Sequence, residues 1–425
     1  MKLPFGMRGT SIGLALWSAL VTAESAAQPD TTAESIEALT NRLLPVVESH
    51  RGLRFLRPVP VEVVSDSVAR LHFGARLTKF YPEDELAAES RVYEQLGLLE
   101  PGTDLANLLL DVLEEQAGGY YDPDADTFYV LGDVPASLLE VIMVHELTHA
   151  LDDQHFDVDS TFTALAHDED RQNAFGAVVE GSGTLVMASY MIEALATGAI
   201  GLEALLELEE TGFGQTEQFA TAPPVVRCGL LAPYVLGEIF LSYGDTAAAA
   251  PPAIDTAAID RAFRDPPAST EQLLHPDKYW DESSRDLPRA LPAVDLGAVF
   301  GSGWRKRAEG VLGEVLVALL TGSEGPQLDG VELTSADAWT NPGAAGWGSD
   351  RWELWTDGDR HRTVLVTSWD TEADATEFLS TLHIPDVQVA RRGDTVVVVA
   401  GSASGDAVNL SQACLELLVP SPDRH

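Results

Sequence analysis

The chain has 425 residues, is 45% hydrophobic and 22% charged, and carries a formal net charge of −41 from 67 acidic and 26 basic side chains. That length supports a sizeable core and two folded units. So negative a surface disfavours nucleic acid and anionic membrane surfaces as partners; it suits cationic substrates or plain solubility in salt.

In chain order, the first expected element is a secretion signal. Lys2 and Arg8 form a basic start, Ile12 to Val21 an apolar stretch, and small residues follow, with cleavage expected after Ala23 or Ala27. Residues 1–27 therefore read as a signal peptide, and the mature protein as secreted or held in the periplasm or cell envelope. Left uncleaved, the same segment would be an N-terminal membrane anchor. Cys228 and Cys414 are the only cysteines and match no zinc–thiolate spacing. They read as buried free thiols, although an oxidising compartment would permit pairing.

Residues 28–48 begin the mature chain as a polar, then helical, stretch. Val59–Val64 alternates after Pro58 and predicts a strand. Pro82–Leu98 and Thr103–Gln116 predict helices, the second capped by Thr103 and striped by Leu105, Leu108, Leu109, Val112 and Leu113. Gly118–Leu131 predicts a hairpin about Asp122-Pro123-Asp124. Its spaced aspartates resemble half a calcium loop, but Thr127 stands where such a loop needs glycine, so a plain turn is expected.

A long apolar helix then starts near Ser137 and contains His145-Glu146-Leu147-Thr148-His149. Residues four apart on a helix share a face, so His145 and His149 can aim two imidazoles at one cation. Glu146 stands beside them, where it can take a proton from metal-bound water; zinc is the expected metal. Arg171–Leu195 predicts a second long helical run, interrupted by Gly181, Ser182 and Gly183. Helical segments follow to Ile239 and around Ile259 and Phe263. Asp281–Pro292 is a charged, proline-containing linker. Beyond it come a helix at Val311–Leu320 and a β-β-α-β-β-α series, with strands Arg351–Thr356, Thr363–Ser368, Val387–Arg391 and Thr395–Ala400 and helices Thr371–Leu382 and Asp406–Leu418. Arg392-Gly393-Asp394 reads as a hairpin turn.

A catalytic zinc needs a third protein ligand. His155 reproduces the histidine spacing of H-E-x-x-H-x-x-G-x-x-H enzymes, but Asp152 replaces the helix-breaking glycine and no methionine turn follows. Glu180 on the next long helix is the rival. Its apolar neighbours Val178, Val179, Leu185 and Val186 imply a buried carboxylate that demands a cation.

"HELTHALDDQHF" at 145–156 followed by "AVVEGSGTLVM" at 177–187 resembles the uncharacterised bacterial and archaeal zinc-peptidase-like proteins of the gluzincin type. The similarity extends to "GGYYDP" at 118–123, "PYVLG" at 233–237, "PPASTEQLLHPDKY" at 266–279, "GWGSDRWEL" at 346–354 and "WDTEADATEF" at 369–378. The resemblance implies His145, His149 and Glu180 as zinc ligands and Glu146 as general base. One departure is Gly181-Ser182, where the family usually has Gly-Asp. The implied fold is α+β: a mostly helical, zincin-like metallopeptidase domain with a short β-hairpin over 28–292, and a small α+β domain over 293–425. The expected function is zinc-dependent peptide hydrolysis on a peptide or protein substrate, with His275 as a candidate transition-state stabiliser. The alternative is a secreted zinc-containing binding or structural protein that keeps the fold without turnover.

Overall fold

The structure, a computed structural model, describes residues 18–20, 33–80, 83–131, 136–165, 168–201, 217–243, 254–322, 324–326, 335–384, 386–401 and 409–419. Within them the chain runs β1 (Ser18–Leu20), α1 (Ala33–Arg51), β2 (Val61–Val64), α2 (Asp66–Phe80), α3 (Glu83–Leu96), α4 (Leu105–Gln116), β3 (Ala117–Asp122), β4 (Thr127–Leu131), α5 (Ala136–Phe156), α6 (Val158–Leu165), α7 (Glu169–Thr197), α8 (Glu217–Thr221), α9 (Pro224–Leu241) and α10 (Thr256–Arg264). Short turns α11 (Glu271–Leu274), α12 (Asp277–Trp280) and α13 (Gly297–Phe300) lead to β5 (Arg305–Gly310), α14 (Gly313–Leu320), β6 (Trp347–Asp357), β7 (Arg360–Trp369), α15 (Glu372–Thr381), β8 (Gln388–Arg392), β9 (Thr395–Ala400) and α16 (Leu410–Leu418). The protein is α+β, with one four-stranded sheet of order β1-β3-β4-β2 and one five-stranded sheet of order β5-β6-β7-β9-β8.

Several expectations hold and several do not. The hairpin is present, with β3 and β4 antiparallel and β2 parallel to β4. Its acidic turn is neutralised from within the chain: Arg76 reaches Asp122 at 3.0 Å, Lys79 reaches Asp124 and Arg57 reaches Asp126. α4 is capped by Asp104, whose carboxylate accepts from Asn107 N, and not by Thr103. α2 and β5 were not anticipated: the first is weakly amphipathic, and the second opens with the exposed run Arg305-Lys306-Arg307. Charge on an edge strand discourages pairing with a second sheet, which masks the strand pattern. The small residues at 181–183 do not interrupt α7. The segment expected as a signal peptide lies mostly outside the described residues; of its apolar stretch, Ser18–Leu20 pairs antiparallel with β3.

α5 lies against β3 on one side and α7 on the other, and α7 packs against α9. α7 and α9 are long and apolar enough to cross a membrane by length and composition, but both are mostly buried in the protein. Their contact is set by glycine. A Cβ on Gly181 would lie 2.5 Å from the Gly237 carbonyl carbon, and one on Gly237 would lie 2.0 Å from Ala177 O. The two backbones touch, and any larger residue would push the helices apart. One apolar core runs from Ile36 through these helices to Trp347, Trp369 and Val398. A second cluster, around Trp355, Val364 and Cys414, fills the other face of the five-stranded sheet.

Candidate metal centre

α5 is apolar on all sides because neighbours surround it, so its polar residues stand out. His145, Glu146, Thr148, His149 and Asp152 are all buried. Thr148 is satisfied locally, donating to Val144 O at 2.7 Å. The two histidines turn toward Glu180 on α7. His145 Nε2 lies 2.9 Å from His149 Nε2 and 3.1 Å from Glu180 Oε2, and His149 Nε2 lies 3.4 Å from the same oxygen.

These separations fit a metal. Two ligand atoms on a tetrahedral zinc stand roughly 3.3 Å apart. Two imidazole edges and a carboxylate crowd one point in a site where all three side chains are 0–2% exposed. Protons can satisfy part of such a cluster; a dication satisfies all of it. Burial, with His149 adding to it, lowers the His145 pKa and favours the neutral, ligating imidazole. Burial pushes the Glu180 carboxyl up, but His149 and His145 outweigh it and hold the group below the usual range.

Three further residues shape the pocket. Gly183 leaves the room that His145 fills: a Cβ there would sit 2.7 Å from His145 Cε1. The backbone N–H of Tyr121 on β3 donates to Glu146 Oε2 at 2.9 Å, orienting that carboxylate. Tyr234 on α9 stacks on His145, with ring centroids 5.8 Å apart, and its phenol hydrogen-bonds Glu180. Burial, then the charges of Glu180 and Glu146, raise the Tyr234 pKa well above its ordinary value, so it remains a donor. Nothing local to "PYVLG" marks Tyr234 as a chemical residue. Its role depends on the α7–α9 crossing, for which the small residues Gly181 and Gly237 are the sequence signal.

The structure does not gather every candidate. α5 continues through Asp152 to Phe156, so no break turns His155 back toward His149. His155 Nε2 instead meets Arg54 O at 2.8 Å. His275 is also elsewhere: its Nε2 lies 3.2 Å from Glu314 on α14, a pairing that raises its pKa despite burial. Its hydrogen-bond partner is thus Glu314 and not a residue of the metal triangle. A second acidic group, Glu271, Asp286 and Asp370, is spaced for a cation. The Lys278 ammonium already fills it, at 2.6, 3.3 and 3.1 Å from those carboxylates. Cys228 and Cys414 are buried free thiols.

Comparison with known proteins adds one domain match. A family model described as "Domain of unknown function (DUF8575)" matches residues 303–411. That span begins just before β5 and holds none of the residues of the metal triangle. No curated protein matches the chain. One solved structure, titled "Crystal structure of a putative hydrolase with a novel fold from Chloroflexus aurantiacus", is similar over 66% of this chain and 96% of its own, at 16% identity and a TM-score of 0.39.

Proposed function

We propose that this protein is a zinc-dependent metallopeptidase of zincin-like fold, acting outside the cytoplasm on peptide or protein substrates. The observation that carries the reading is the convergence of His145 Nε2, His149 Nε2 and Glu180 Oε2 within 3.4 Å of one another. These three residues would hold the ion, which supplies polarisation of a carbonyl and a bound water of lowered pKa. Glu146, steadied by the Tyr121 N–H, takes a proton as water adds to the scissile carbonyl. It then delivers that proton to the amine as the C–N bond breaks. Tyr234 gives its one phenol proton to Glu180, and so would orient that ligand rather than meet developing negative charge. Removal of the expected signal peptide, which includes Ser18–Leu20, would free the β3 edge for an extended peptide backbone.

One observation favours the alternative, a zinc-containing binding or structural protein. His145, Glu146, His149 and Glu180 are 0–2% exposed, and a turnover site must admit water and substrate. A single experiment separates the two. Purified protein and Glu146→Gln are incubated with denatured protein and with a mixed peptide library, and zinc is measured in both. The enzyme reading expects cleavage by the wild type and a loss of about 100-fold or more in Glu146→Gln with zinc retained. Zinc in both proteins with no cleavage by either would establish the binder.

A further inference from the structure

His145, His149 and Asp152 recur at intervals of four and three residues, one stripe of α5. The last of them does not approach the metal triangle as a ligand. Asp152 Oδ2 accepts from Ser182 Oγ at 2.6 Å, and Asp152 Oδ1 accepts from Arg51 Nε at 2.7 Å. Arg51 closes the set through Asp260 on α10, at 2.9 Å. Asp152, Ser182 and Arg51 are all fully buried. Ser182 is two residues beyond Glu180, so the bond to Asp152 ties the Glu180 segment of α7 to the helix that carries both histidines.

We infer that Asp152 is a positioning residue for the zinc site: a single buried carboxylate, anchored by Arg51, holds Glu180 in register with His145 and His149 through Ser182. On this reading the tie between α5 and α7 is one carboxylate bonded to one hydroxyl, with Arg51 as its anchor. Exchanging the two side chains keeps the volume, the charge and the hydrogen bond. A purely space-filling role for Asp152 makes no such allowance.

The inference rests on the zinc reading above, and its test uses metal binding as the readout. Zinc affinity is measured by chelator competition, and the cobalt-substituted absorption spectrum is recorded, for wild type, Ser182→Ala, Asp152→Ser and the exchanged pair Asp152→Ser/Ser182→Asp. Ser182→Ala is expected to weaken zinc about 10-fold and Asp152→Ser about 10- to 100-fold, each with a shifted cobalt spectrum. The exchanged pair should recover most of the affinity and the wild-type spectrum. If Asp152→Ser does not fold, Ser182→Ala and the exchanged pair carry the comparison. Single variants that bind zinc as the wild type does, or an exchanged pair that binds no better than Ser182→Ala, would overturn the inference and leave the zinc reading standing. A wild type that binds no zinc would overturn both.

Discussion

Buried polar groups are treated in two different ways in the two halves of this molecule. In the five-stranded sheet three of the four buried indoles are matched to a neighbour of fixed geometry, Trp352 being the exception. Trp347 Nε1 donates to Asp350 at 2.9 Å, Trp355 Nε1 to Glu353 at 2.9 Å and Trp369 Nε1 to Thr367 at 2.7 Å. Asp350 also accepts from the backbones of Leu312 and Gly313, starting α14. In these pairs indole and amide donors meet oxygen acceptors, and no like-natured atoms face one another. Between α5 and α7 the polar atoms face one another instead: two imidazole edges and a carboxylate converge. The first pattern builds a stable sheet; the second leaves a place for a cation. Position in the chain does not distinguish them, and neither does the amount of buried polarity. The chemical type of the facing atoms does.

That contrast makes separable predictions. The largest effect belongs to the sheet. Trp347→Ala empties a fully buried site and strips Asp350 of a donor, so stability should fall by about 3–5 kcal/mol. Zinc content of the folded fraction should be unchanged. Denaturant unfolding with metal analysis checks both, and zinc loss at full stability would erase the distinction between the halves.

Next is a change that strikes the site and spares the fold. Gly183→Ala puts a methyl group 2.7 Å from His145 Cε1. Alanine favours a helix over glycine by about 1 kcal/mol, which offsets much of the roughly 1–3 kcal/mol that the overpacked methyl group costs, so thermal stability should fall only slightly. The displaced imidazole should cost about 10- to 100-fold in zinc affinity, read by chelator competition. Unaltered affinity would mean that His145 is not held where the structure has it.

The smallest effect concerns pH. Asp170, at the start of α7, accepts from Thr270 N at 3.1 Å and from Thr270 Oγ1 at 2.6 Å. Burial pushes its carboxyl well above the ordinary 3.8; the Thr270 hydrogen bonds oppose this, while Asp168 and Asp350 add to it. The folded chain therefore keeps a proton that the unfolded chain releases near pH 4. This contribution to stability is complete below that pH and is lost as pH rises through the folded value. Asp170→Asn removes the titration. Its unfolding midpoint should match the wild type near pH 4 and exceed it by a few degrees at pH 8; a constant difference across that range would contradict the assignment.

Much of this architecture was readable from local pattern. The apolar run around His145 and Glu146, the alternation about Asp122-Pro123-Asp124 and the apolar neighbours of Glu180 depend on periodicity and composition within a few residues. What could not be read depends on how distant segments cross. Tyr234 matters because Gly181 and Gly237 let α7 and α9 touch. Asp152 looked like a poor substitute for a helix-breaking glycine, but it serves as the partner of Arg51 and Ser182, 101 and 30 residues away in sequence. His275 looked chemical in isolation, and its nearest acid, Glu314, lies beyond the linker. β5 was hidden because an edge strand carries charge where an inner strand carries an apolar face.

The most direct test is the metal content of the purified wild-type protein, set beside Glu180→Ala and His155→Ala. The account predicts about one zinc per chain in the wild type and in His155→Ala, and most of it lost from Glu180→Ala. No transition metal in the wild type, even after exposure to excess zinc, or loss in His155→Ala with retention in Glu180→Ala, would contradict it.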